Sequence, residues 1–113
     1  MKNYRLVYSH ASLGDLDEMV AYITSIRTQE SALRYKDRVV RQLESLTYAA
    51  DAFPYSRKHS IRLIHPNAKT RSIMNHKWTV VFHTEGDFVM VDRILVAQMI
   101  KDRSSWKQHI ITH

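Results

Sequence analysis

The sequence predicts an α+β domain in which an antiparallel-rich, twisted sheet packs against an N-terminal helical hairpin. Apolar residues recur at helical spacing through residues 13–50 and at the alternating spacing of strands from about residue 70 onward. A chain of 113 residues is long enough for one hydrophobic core and too short for two ordinary domains. We therefore expect a single domain over residues 1–113 with the order β-α-α-β-β-β, and a C-terminal helix or tail over residues 97–113.

The N-terminal elements are a strand and a helix. Residues 4–8 are strand-forming types, and Ser9 or Ser12 can cap the helix that follows, because a serine oxygen accepts hydrogen bonds from the free amides of a first helical turn. The helix runs to about Arg27. It carries one apolar stripe, formed by Leu13, Leu16, Val20 and Ile23 and flanked by Met19 and Ile26.

A second, longer helix follows after Thr28, which offers another cap, and runs to about Tyr48. The short connection predicts an antiparallel αα-hairpin whose combined apolar face lies on the sheet. Pro54 then ends the helical part, because proline cannot continue a helix. The apolar face of the second helix consists of Ala32, Val39, Leu43, Leu46 and Ala50, with Tyr35 and Val40 beside it.

Residues 56–69 contain apolar residues near a Pro66-Asn67 turn, and we expect a loop with a short strand near residues 61–64. Residues 70–74 should form the strand that leads into a β-hairpin at residues 78–95. Gly86 supplies the positive φ that the hairpin turn needs. Pairing Thr84 with Asp87 sets the register, which places Phe82 opposite Val89, Val80 opposite Val91, and Trp78 opposite Arg93.

The two faces of this hairpin differ in polarity. One face is almost entirely apolar and is expected to pack on the helices. The other mixes apolar with polar residues and is available for chemistry or for a partner. Its polar members are Lys77, Thr79, His83 and Asp92.

The net charge of +6 is unevenly distributed along the chain. Residues 52–84 contain six lysine and arginine residues and no aspartate or glutamate, so the excess lies in this third of the chain. Such clustering is typical of proteins that bind nucleic acid or an acidic protein, although a solubilising surface is the alternative. The cations are Arg57, Lys58, Arg62, Lys69, Arg71 and Lys77, with His59, His65, His76 and His83 among them.

Composition also excludes several kinds of chemistry. The absence of cysteine excludes disulfides, thiolate metal sites and cysteine nucleophiles. His109 and His113 have the spacing of a helical ligand pair, but no zinc signature surrounds them, so we expect neither a metal nor a cofactor. No apolar run approaches the length of a membrane span, and residues 1–8 are too charged for a secretory signal, so we expect a cytoplasmic protein without a membrane partner.

Short motifs in a fixed order resemble the RelE/ParE superfamily of bacterial toxins, the growth-arresting halves of type II toxin-antitoxin pairs. The likeness covers nearly the whole chain. Asp15-Leu16 and Tyr22-Ile23 stand where that family has the D-L and Y-I of its first helix. The other matching motifs are Ala32, Ser45-Leu46 and Phe53-Pro54, then Arg71-Ser72-Ile73, Trp78-x-Val80-x-Phe82, Gly86-Asp87 and Val91-x-Arg93-Ile94.

The resemblance implies a toxin that a cognate antitoxin neutralises, and that contacts operator DNA only through the antitoxin. One branch of the family enters the ribosome and cuts mRNA as a metal-independent endoribonuclease; another poisons DNA gyrase without catalysis. We expect mRNA cleavage, because the basic third of the chain and its histidines suit contact with RNA. Thr79 stands where the mRNA-cutting branch has a catalytic arginine, which favours the gyrase alternative. A degenerate member that binds only antitoxin and operator is a third option.

RNA cleavage by a 2′-hydroxyl needs a base that accepts the hydroxyl proton and an acid that protonates the leaving oxygen. It also needs positively charged side chains that stabilise the negative phosphorane. Arg71 is the candidate for phosphate contact, because its planar fork matches phosphate oxygens; a salt bridge to Asp92 or Glu85 is the alternative. His83 is the candidate base or stacking partner, and a solvent-facing strand histidine is its alternative. Arg93 has a cation–π role on Trp78 as its alternative. Residues predicted to contact nucleic acid or the target are Arg57, Lys58, Arg62, Lys69, His76, Lys77 and Arg93.

Overall fold

The computed structural model describes residues 3–96, and the predicted tail over residues 97–113 lies outside them. The predicted α+β class and the β-α-α-β-β-β order are confirmed, with two short helices added between the helical hairpin and the second strand. The elements are β1 Arg5–Tyr8, α1 His10–Ile26, α2 Gln29–Glu44, α3 Leu46–Ala49, α4 His59–Arg62, β2 Lys69–Ile73, β3 Trp78–Glu85 and β4 Phe88–Val96, with a 3-10 turn at Ala50–Ala52.

The four strands form one sheet in the order β1-β4-β3-β2. β2, β3 and β4 pair antiparallel, and β1 pairs parallel with β4. A parallel pair needs a long crossover, which the αα-hairpin supplies. The main core lies between this hairpin and one side of the sheet, whereas α4 packs on the side away from that core. Within residues 3–96 no helix combines the length and apolarity that crossing a membrane would require.

The predicted caps and helical stripes are largely confirmed. Ser9 caps α1 by accepting from the Ser12 amide at 3.0 Å, and Thr28 caps α2 in the same way. Leu13 and Ile26 were wrongly assigned to the buried stripe of α1, since they are 45% and 59% exposed. The helix turns a different face inward, which buries Ser12, Asp15, Leu16, Met19 and Ile23.

In the second helical segment the five residues predicted to be buried are all buried. The helix itself is shorter than predicted: α2 ends at Glu44, and α3 begins after Ser45. The apolar spacing continues through the break, so a change of helix at this point leaves the pattern unaltered. The buried residues are Ala32, Val39, Leu43, Leu46 and Ala50.

The prediction of a short strand near residues 61–64 is wrong, because the chain forms α4 there. Ile61 is fully buried with Ala68 and Val81 in a second, smaller core on the open side of the sheet. A single turn of helix suffices to direct Ile61 into this core. In so short a segment, apolar content alone does not distinguish a helix from a strand.

The predicted hairpin exists, but its register is displaced. The turn contains only Gly86, with φ of 57°, and Asp87, so Glu85 pairs with Phe88 and Phe82 pairs with Val91. The register shifts again between Val81 and Phe82, because β4 contains one extra residue at that point. Beyond this bulge the pairs are Val81 with Arg93, Val80 with Ile94, Thr79 with Leu95 and Trp78 with Val96.

Candidate functional site

The two predicted catalytic residues lie on opposite sides of the sheet. Arg71 pairs with Val80, which belongs to the core beneath the helices. His83 is three residues from Val80 on the same strand, so its side chain points to the other face, where α4 lies. The structure therefore does not bring Arg71 and His83 into one site.

The Arg71 guanidinium is held at the C-terminal end of α2. Its Nη1 donates to the Gln42 carbonyl at 2.9 Å and also to the Ser45 hydroxyl. The guanidinium carbon is 5.7 Å from the centroid of the Phe53 ring. Cations are stabilised at this position because the last carbonyls of a helix lack intrahelical partners and carry partial negative charge. The alternative prediction, a salt bridge to Asp92 or Glu85, is wrong.

Lys69 has a similar position at the C-terminal end of the next helix, α3. It is only 6% exposed, and its Nζ donates to the Ala50 carbonyl at 3.2 Å, where α3 ends. The Tyr55 ring lies 5.3 Å from the same Nζ. Two of the six cations in the basic third of the chain thus satisfy backbone carbonyls inside the fold.

His83 is buried, so its alternative assignment as a solvent-facing strand residue is wrong. Its Nδ1 lies 2.7 Å from Asp92 Oδ2, and because a carboxylate can only accept, Nδ1 carries the hydrogen. Its Nε2 lies 3.5 Å from the Glu85 carboxylate. The His65 ring covers one face of the His83 ring, with centroids 3.6 Å apart and planes 5° from parallel.

His65 is oriented by its own turn. Its Nδ1 accepts a hydrogen bond from the Asn67 amide at 3.1 Å, so that nitrogen carries no hydrogen in this geometry. Asp92 and Glu85 then face His83 from two sides, while His65 shields it from solvent. The His83–Asp92 pair has the arrangement of an oriented general base, since a carboxylate on Nδ1 leaves Nε2 for proton transfer.

Arg93 does not pair with Trp78, and the predicted cation–π role is wrong. Its Nε and Nη2 donate to the two carboxylate oxygens of Asp15, at 2.8 and 2.9 Å. The Ile94 amide also donates to Asp15, at 2.8 Å. The hydrogen bond with Asp15 raises the pKa of Arg93. This bidentate pair, 78 residues apart in sequence, joins the start of α1 to β4 just beyond the bulge.

The other predicted binding residues are exposed and fall into two groups. His76 and Lys77 lie in the β2–β3 turn, where Met74, Asn75 and His76 have positive φ of 53°, 55° and 66°. The second group, which consists of Arg57, Lys58 and Arg62, lies in α4 and just before it. None of these five residues forms an ion pair with a side chain in the part of the chain that the structure describes.

Three polar residues that organise the structure were missed as site candidates. Asp15 was noted as part of a motif, Asp92 as a polar strand residue and as an alternative partner of Arg71, and His65 as one of four histidines. A buried position for Asp15 could have been suspected from the helical period, because it lies four residues before Met19. Nothing in the sequence places His65 against His83. Among residues 3–96 no three side chains form a group suited to a metal ion.

Comparison with known proteins finds similarity among solved structures. No protein-family model matches the chain, and no curated protein matches it. Among solved structures, the chain is similar to one described as "Chromosomal ParDE TA system from P. aeruginosa". The TM-score is 0.70 at 18% sequence identity, and the match covers 82% of this chain and 95% of that chain. At this identity, the similarity shows a shared fold.

Proposed function

We propose that this chain is the toxin of a type II toxin-antitoxin pair and that its target is a protein, with DNA gyrase the first candidate. Two observations support the toxin assignment. The fold is shared with a protein of a ParDE system, and the resemblance of the Asp15-Leu16 and Tyr22-Ile23 motifs points to the same superfamily. A cognate antitoxin is the implied partner, through which the toxin would contact operator DNA.

The dispersal of the cations favours a protein target over mRNA. Phosphoryl transfer to a 2′-hydroxyl requires positive charge beside the proton-transfer groups. Arg71 and Lys69 instead contact helix-end carbonyls on the helical side of the sheet, and Arg93 is paired with Asp15. On the opposite side, the His83 ring contacts His65 and two carboxylates, and among the described residues none of the cations around α4, Arg57, Lys58 and Arg62, contacts it. Negative charge at this place opposes the approach of a phosphate.

The second candidate is mRNA cleavage, which the His83–Asp92 pair favours. The 2.7 Å contact fixes the tautomer of His83 and leaves Nε2 in the position of a general base. His83 is 6% exposed and its Nε2 faces the Glu85 carboxylate at 3.5 Å, so RNA would have to displace that carboxylate to reach this nitrogen. Thr79 would also leave the site without the arginine that the mRNA-cutting branch has at that position.

The two candidates are separated by inducing the protein in a bacterial host without its antitoxin. A gyrase-directed toxin should induce the DNA-damage response while messages stay intact, and purified toxin should inhibit supercoiling by gyrase in vitro. The H83A variant should remain toxic, as should H76A, the matched control in an exposed turn. Codon-phased mRNA cuts that disappear in H83A and persist in H76A would contradict the proposal and favour cleavage. No growth arrest on induction would indicate the degenerate option.

A further inference from the structure

We propose that the α4 lobe, residues 55–68, is the docking surface for an acidic amphipathic segment of the antitoxin. This inference rests on the proposed function and adds the part of the surface that the partner occupies. The cations of the chain differ in whether they have partners within the fold. Lys69, Arg71 and Arg93 are engaged inside the fold, whereas Arg57, Lys58 and Arg62 form no ion pair among the described residues.

The lobe contains no acidic side chain, and among the described residues the carboxylates of Asp92 and Glu85 contact only His83, behind the His65 ring. Residues 52–84 contain no acidic side chain, so the nearest carboxylates in sequence lie outside the lobe. By contrast, Arg34 and Arg41 on α2 pair with Glu30 and Asp37 one turn earlier. An uncompensated positive patch attracts an acidic partner and accelerates its association.

The lobe also offers apolar anchors next to the charge. Leu63 and Tyr55 are 68% and 64% exposed, the two highest values among the large exposed hydrophobic residues within residues 3–96. Apolar side chains that adjoin cations in the sequence, as Leu63 adjoins Arg62, suit a partner segment with an apolar stripe and acidic flanks. A nucleic acid would satisfy the cations but would leave Leu63 without a complementary group. The lobe therefore fits an acidic peptide better than RNA.

The lobe is held in a defined position before any partner binds. Ile61 and Ala68 are buried against Val81 of β3, and the Ser56 amide donates to the Ala68 carbonyl at 2.8 Å, which closes the lobe at its base. The stack of His65 on His83 attaches its far side to the sheet. A surface fixed in this way loses little conformational entropy on binding.

The test compares two double variants by calorimetric titration with the product of the small reading frame adjacent to this gene. R57E/R62E reverses two charges on the lobe, and R34E/R38E makes the same net change on exposed positions of α2. R57E/R62E should weaken binding by at least about tenfold, whereas R34E/R38E should change it by less than about threefold. L63A should weaken binding by about fivefold without changing the charge. Thermal unfolding of each variant verifies that it is folded.

The outcomes separate this inference from the proposed function. If the adjacent product does not bind the wild-type chain, both are overturned. If it binds wild type, R57E/R62E and R34E/R38E equally, or if both variants lose affinity equally, the docking surface is wrong and the toxin assignment stands. If R57E/R62E keeps its affinity for that product but loses binding to a short single-stranded RNA, the lobe is a nucleic-acid surface and the inference is overturned.

Discussion

The contact of Asp15 with Arg93 and the Ile94 amide provides the sharpest test of the fold, and D15N is the variant that tests it. The asparagine keeps the size of the side chain and can still accept one hydrogen bond at its oxygen. It loses the charge-assisted bidentate pair, in which the carboxylate oxygens lie 2.8 and 2.9 Å from the guanidinium. The new amide group would also face a donor of Arg93.

The size of the effect follows from burial. Losing a hydrogen-bonded partner of a charged group costs about 1.5–3 kcal/mol. The Asp15 side chain is 9% exposed, but that of Arg93 is 39% exposed, so water restores part of the lost hydration of the guanidinium. We therefore expect D15N to lower the free energy of unfolding by about 2 kcal/mol and Tm by roughly 8 °C.

Urea unfolding followed by circular dichroism measures this change, and D17N is the matched control. Asp17 is exposed on the same helix, so its substitution should change the free energy of unfolding by less than about 0.5 kcal/mol. A D15N protein as stable as D17N would refute the assignment of Asp15 as the link between α1 and β4.

Three further predictions concern other polar groups. Y8F should raise the free energy of unfolding by up to about 1 kcal/mol in urea titrations, because the buried Tyr8 hydroxyl has no hydrogen-bond partner in the described part of the chain. The hydrogen bond from Tyr4 to Asp51, at 2.7 Å, raises the pKa of Tyr4. This interaction stabilises the folded state below the ordinary tyrosine pKa and is lost as pH rises through the raised value; D51N should lower the pKa of Tyr4 in a phenolate absorbance titration. R71Q should cost about 1–2 kcal/mol in urea unfolding, because glutamine is too short to replace both helix-end contacts; equal stability would show that those contacts are unimportant.

The sequence allowed the architecture to be predicted because its elements have distinct periods. A helix is indicated by the spacing of Ala32, Val39 and Leu43, and strands are indicated by the alternating apolar residues on both sides of Gly86. The register could not be predicted, because the extra residue in β4 interrupts the pairing without breaking the apolar pattern. α4 was mispredicted because one turn of helix is too short to show a period.

The candidate site was harder to predict than the fold, because the partners of its residues are remote in sequence or belong to the backbone. Arg71 and Lys69 contact carbonyls at helix ends, and a sequence does not show where those ends approach a strand. Asp15 is 78 residues from Arg93. His83 was selected as a candidate, but its burial depends on His65, which reaches it only through the position of α4.

Growth after induction of the chain, alone and together with the product of the adjacent reading frame, tests the toxin assignment most directly. A gyrase-directed toxin should arrest growth when the chain is expressed alone, leave messages intact during the arrest, and permit recovery when the adjacent product is expressed. Uninterrupted growth with abundant, folded protein would contradict the toxin assignment.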